Sequence, residues 1–159
     1  MSNLPRETGL YRTILPMTDR PAEVPARTLI RFVTDADGGP KVHLPKKAEN
    51  NQWTFVERGH AVTDEEWAAT LVPLRAEGFY HLTQDLWIGG GQKMPKGLLI
   101  QLGYTKEGQA AAFPGKAVEP NKIEFQRRGA LISDLQADSL KAADLKIVST
   151  STKQPNGDA

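Results

Sequence analysis

Catalysis would require histidine, acidic or nucleophilic side chains gathered in one place, and this chain offers few. The only histidines are His43, His60 and His81. A zinc site needs converging ligands, often as H-x-x-x-H on one helix face. These three sit on separate segments without such spacing. His81 and Asp85 are four residues apart, which in an extended strand means about 13 Å, too far for a direct hydrogen bond. Asp35-Ala36-Asp37-Gly38 opens like a calcium loop, but Gly39 and Lys46 at positions five and twelve break the pattern. The serines at 2, 133, 139, 149 and 151 lie in no nucleophile elbow. Cysteine is absent, which removes disulfides, thiolate metal sites and a cysteine nucleophile.

Binding chemistry has better candidates. Gly89, Gly90 and Gly91, followed by Lys93 and Lys96, offer free backbone amides and two cations that could cradle a phosphate. The run matches neither G-x-x-x-x-G-K-[ST] nor G-x-G-x-x-G, and it leads into a strand rather than a helix N-terminus. It is still the best place for a functional loop, because 89–97 is longer than a tight hairpin needs. Trp53, Phe55, Tyr80 and Trp87 would stack on nucleic-acid bases if exposed and would form core if buried. Lys46-Lys47 and Arg127-Arg128 are isolated basic pairs of the kind usually found on solvated surface.

The elements that must position these residues centre on 62–104. Thr63-Asp64-Glu65-Glu66 has the form of a capping box with Thr63 at the N-cap. Trp67, Leu71 and Leu74 follow on one helical face. Pro73 should kink or end this helix near Val72, and Gly78 is a natural stop. Strands are then expected at 79–88 and 98–104, with the glycine loop between them. Before this centre, strands are expected at 10–15, 28–33, 41–44 and 52–57, with a hairpin turn at 35–40. Segments 16–25 and 46–51 read as loops. After it, 109–113 reads as a third arm, 114–121 as a loop and 122–126 as a strand. Ser133-Asp134-Leu135-Gln136 is a second capping box, opening a helix to about Ile147. No repeat of about twenty residues or longer is evident.

Short connections favour antiparallel neighbours. The expected class is therefore α+β: a mainly antiparallel small sheet or partly open barrel of six to eight short strands, with one central and one C-terminal helix. Residues 1–9 are expected to be a flexible lead, 10–148 a single domain and 149–159 a disordered tail. Over 28–104 the order β-β-β-α-β-β resembles the oligonucleotide/oligosaccharide-binding barrel, which carries its helix between strands three and four. That resemblance implies a single-stranded nucleic-acid binder using Trp53, Phe55, Tyr80 and Trp87, ringed by Lys41, Lys93 and Lys96.

A net charge of +1 and a pI near 8.0 do not suggest a protein dominated by phosphate contacts. No apolar run approaches a membrane span, and the first residues lack an apolar signal core, so a soluble cytoplasmic protein is expected. The leading expectation is a non-catalytic protein-interaction or assembly module, a subunit or adaptor without a cofactor. It would bind a protein partner or itself through Gly89, Gly90, Gly91, Lys93, Lys96, Trp53, Tyr80 and Trp87. The nucleic-acid binder stands second. An enzyme with a site assembled from His60, His81 and Asp85 stands third.

Overall fold

A computed structural model describes residues 7–34, 39–88, 91–119 and 122–143. Of these, 46% lie in strands and 8% in helices, so the chain is mostly β and the expected α+β class is overturned. Both expected helices form, but each lasts only five residues. The first, α1 (Glu65–Ala69), is capped by Asp64 rather than Thr63: the carboxylate accepts from the Glu66 N–H at 2.9 Å and the Trp67 N–H at 3.2 Å. It ends before Pro73, which lies instead in a strand. A proline that cannot donate to a helical turn is tolerated at the end of a short edge strand. The second, α2 (Asp134–Asp138), carries the expected capping box between Ser133 and Gln136. It stops at Ser139, and Lys141–Ala142 follow as a strand. Residues 144–147 of that expected helix, the tail at 149–159, the turn at 35–38, and Gly89 and Gly90 all fall outside the described residues.

The strands fall into two runs with the same connectivity. The first run contains β1 (Gly9–Arg12), β2 (Leu29–Val33), β3 (Lys41–His43), β4 (Pro45–Glu49), β5 (Gln52–Phe55) and β6 (His60–Ala61), then α1 and β7 (Val72–Pro73). The second contains β8 (Gly78–His81), the hairpin β9 (Leu86–Ile88) and β10 (Gln92–Met94), then β11 (Leu99–Tyr104), β12 (Ala110–Glu119), β13 (Lys122–Phe125), β14 (Ala130–Leu131), α2 and β15 (Lys141–Ala142). Neighbours in the first sheet run β6-β3-β2-β1-β7, and in the second β14-β12-β11-β8-β15. The single strand β12 does the work of β3 and β4 together.

The correspondence holds residue by residue. Tyr11 faces Ile30 as Tyr80 faces Ile100, and Arg12 faces Leu29 as His81 faces Leu99. Val42 faces His60 as Ala112 faces Ala130, and Glu49 faces Gln52 as Glu119 faces Lys122. Backbone bonds repeat as well: Leu74 N–H to Leu10 O matches Ala143 N–H to Phe79 O, and Val62 N–H to Pro40 O matches Ile132 N–H to Ala110 O. Each tyrosine hydroxyl donates to the carbonyl four residues before it, Glu7 for Tyr11 and Ala76 for Tyr80. Residues 9–74 and 78–143 are thus two copies of one unit, a repeat the sequence reading missed. The barrel order over 28–104 straddles both copies, and among the described residues none of the sheets closes.

Two loops expected from polarity are strands. Residues 46–51 belong largely to the β4–β5 hairpin, whose turn residues Asn50 and Asn51 both adopt positive φ, 53° and 62°. This is the left-handed pair that a two-residue turn requires and asparagine tolerates. Residues 114–119 continue β12, which changes partner around Pro114 from β11 to β13. Conversely, the expected strand at 79–88 breaks into β8 and β9, and the expected loop at 89–97 contains β10.

Each unit has its own core, and the two units share an interface. Tyr11, Ile30, Phe32, Val42 and Trp67 fill the first. Tyr80, Ile100, Leu102, Ala112 and Leu140 fill the second, joined by Leu10 and Leu29 from the opposite face of the first sheet. The β4–β5 tip sits on β11. Asn51 donates its amide to Gln101 Oε1 at 3.0 Å, Gln101 returns one to Asn50 O at 2.9 Å, and the Trp53 indole N–H reaches Tyr104 O at 2.6 Å. Gly103 makes room for this approach: a Cβ there would stand 2.8 Å from Asn51 O. Gly103→Ala is therefore expected to lower unfolding free energy by about 1–3 kcal/mol in denaturant titration. An unchanged midpoint would mean that the tip does not seat on β11.

Candidate functional site

The β9–β10 hairpin is anchored from below and carries its chemistry outward. Leu86 and Met94 pair across it and are buried at 6% and 4% exposure. The next pair, Trp87 and Lys93, points the other way, as strand alternation requires. Trp87 is 67% exposed. Lys93 Nζ lies 5.5 Å from the Trp87 ring centroid and 3.3 Å from Asp85 Oδ2. Asp85 Oδ1 accepts the Lys96 N–H at 2.8 Å. The Lys96 N–H first, and then Lys93, hold the Asp85 carboxyl below its ordinary range. The indole is thus presented on a short two-stranded stem with a cation against its face.

The first unit shows that folding does not demand this tryptophan. There Met17 and Val24 take the places of Leu86 and Met94, with the Met17 N–H bonded to Val24 O at 2.9 Å. The residue matching Trp87 is Thr18, whose hydroxyl donates to Asp64 Oδ2.

Of the residues singled out from the sequence, Trp87, Lys93, Lys96 and Gly91 meet in this hairpin, Gly91 with φ of 73° in its turn. Tyr80 does not join them. It is 6% exposed, and Arg75 covers its ring at 4.5 Å, so it cannot stack on a base. Trp53 lies half-buried between the units. The histidines stay apart. His43 Nδ1 is 2.8 Å from Val56 O, His81 Nδ1 is 3.3 Å from Gly97 O, and His60 Nε2 is 3.9 Å from Glu23. Asp85 serves the hairpin rather than His81.

Two clefts flank Trp53. One, of about 660 Å³, is lined by Phe79, Gln101, Phe113, Phe125 and Arg127 of the second unit together with the β4–β5 tip. The other, of about 560 Å³, is lined by Leu10, Arg31, Phe55, Glu7 and Glu77 among others. Leu10, Arg31 and Phe55 are the counterparts of Phe79, Gln101 and Phe125, so both clefts open on the same face of their units. Sequence reasoning did not find Glu77, which lies in the short linker and belongs to no motif. Its partner is a backbone N–H, a kind of pairing that side-chain patterns do not reveal.

Burial pushes the Glu77 carboxyl up to about 7, against a smaller lowering by the Trp53 N–H. A carboxyl raised in the folded state stabilises fully below its unfolded value near 4.5, and that contribution is lost as pH rises through about 7. Glu77→Gln keeps an acceptor for Trp53 and removes the charge. Its melting temperature should exceed that of the wild type near pH 8, with the gap closing near pH 5. A pH-independent difference would mean that Glu77 titrates normally.

Comparison with known proteins finds no matching family model, curated protein or solved structure. Among the described residues, no helix is long and apolar enough to cross a membrane.

Proposed function

We propose that this chain is a non-catalytic protein-interaction module and that the Trp87 hairpin is its docking point. One observation carries the reading: a tryptophan 67% exposed, braced by Lys93 and absent from the matching position of the first unit. Tryptophan on a rigid element has the features of an interface anchor. It brings large contact area and loses little side-chain freedom when bound, and such residues dominate binding energy. The hairpin carries Lys93 and Lys96 against a single acid, Asp85. The complementary surface is an apolar pocket edged by carboxylates on a partner protein. A nucleic-acid partner fits less well, because Lys93 is already paired and Tyr80 is buried.

The test places a photo-crosslinking residue at Gln92, an exposed position paired with Ile88, the residue after Trp87, and compares the protein with its Trp87→Ala variant. A protein adduct of defined mass is expected with the wild type. In Trp87→Ala it should fall at least tenfold, while stability moves by no more than about 0.5 kcal/mol. Equal adduct yield in the variant would overturn the reading. So would an adduct that proves to be nucleic acid and whose formation is suppressed when salt is added before irradiation.

A further inference from the structure

The cleft on the first-unit side of Trp53 contains a carboxylate without a counter-ion. Both oxygens of Glu77 face one donor, the Trp53 N–H, at 3.1 and 3.4 Å. Among the described residues, no lysine, arginine or histidine nitrogen lies within ion-pair distance of it. A carboxylate has about four acceptor sites, and among the described residues the Trp53 N–H is the one protein donor that Glu77 meets. Two arginines stand near it, and neither pairs with it. Arg75 donates to Ala137 O and Leu140 O and covers the Tyr80 ring. Arg31 lines the same cleft from an exposed strand position and lies beyond ion-pair distance of Glu77. Behind Glu77, Tyr104 donates its hydroxyl to Arg75 O at 2.7 Å.

We propose that this cleft binds a cationic group, an alkylammonium or guanidinium such as a lysine or arginine side chain, between the Glu77 carboxylate and the Trp53 ring. The volume, about 560 Å³, admits such a side chain with room to spare. The indole and the Phe55 ring supply apolar walls for its stem and a π face for its charge. The cation would supply the missing counter-charge, and its arrival would restore the ionised carboxylate. The site does not depend on the Trp87 hairpin, so either can fail alone.

The test titrates N-acetylarginine amide into the protein near pH 7 and follows the Trp53 indole N–H by NMR. N-acetylcitrulline amide, of the same shape but neutral, serves as control. Saturable shifts with the arginine probe are expected, in the millimolar range for so small a ligand, along with at least tenfold weaker binding of citrulline amide and proton release on binding. Glu77→Gln should weaken the arginine probe at least tenfold, and Trp87→Ala should leave its binding unchanged. If Glu77→Gln does not fold, the charged and neutral probes on wild type still decide. Equal binding of both probes, or no saturable shift with arginine amide, overturns the proposal.

Discussion

Two asparagines at a hairpin turn set the architecture. Asn50 and Asn51 adopt the left-handed conformation that reverses the chain between β4 and β5. The same residues then satisfy Gln101, a side chain only 5% exposed in the middle of β11. A buried amide without partners would cost a few kcal/mol, so the seat and the turn depend on each other. With the tip in place, the Trp53 indole reaches Tyr104, and Leu10 and Leu29 join the second core. The contact is head-to-tail, a type that propagates unless something stops it. Here the residue matching Gly103 is Val33, and the one matching Gln101 is Arg31. A Cβ at the seat would collide with the incoming carbonyl. The seat therefore exists on the second unit only.

Much of the strand pattern was legible because it rests on local signals. Ile30 and Phe32 alternate into a core, and Ser133 and Gln136 cap a helix. The helices were overread because a one-turn helix and a four-turn helix begin alike. What ended them was pairing of Val72 and Lys141 with the first strand of each unit, a long-range contact. Pro114 misled in the other direction. A proline normally bars a central strand, but this one stands where β12 exchanges one neighbour for another.

The duplication was hidden because few positions must stay the same. Tyr11 and Tyr80 repeat, as do Ile30 and Ile100, Phe55 and Phe125, and Asp64 and Asp134. Gly59 and Gly129 repeat for a steric reason. A Cβ at either would press on the ring of the residue opposite, His43 in one unit and Phe113 in the other, at 2.8 Å. Between such points the residue types drift freely, so identity is scattered rather than contiguous. Periodicity measured over a short window cannot register that.

The candidate sites lie where the copies differ. Thr18 and Trp87 hold matching positions, and the shared fold accommodates either. Glu77 belongs to the linker, which a single unit would not contain. Arg75, two residues earlier, binds the carbonyls of Ala137 and Leu140 at the exit of α2 and lies over Tyr80. Ala137 O also accepts the Leu140 N–H at 3.3 Å, and a cation suits carbonyls at the end of a helix. Arg75 is fixed on one side of Glu77 and β8 begins at Gly78 on the other, so the backbone that carries Glu77 is held at both ends. The short tie that joins the units thus also holds a carboxylate against Trp53, on the wall of the cleft between them.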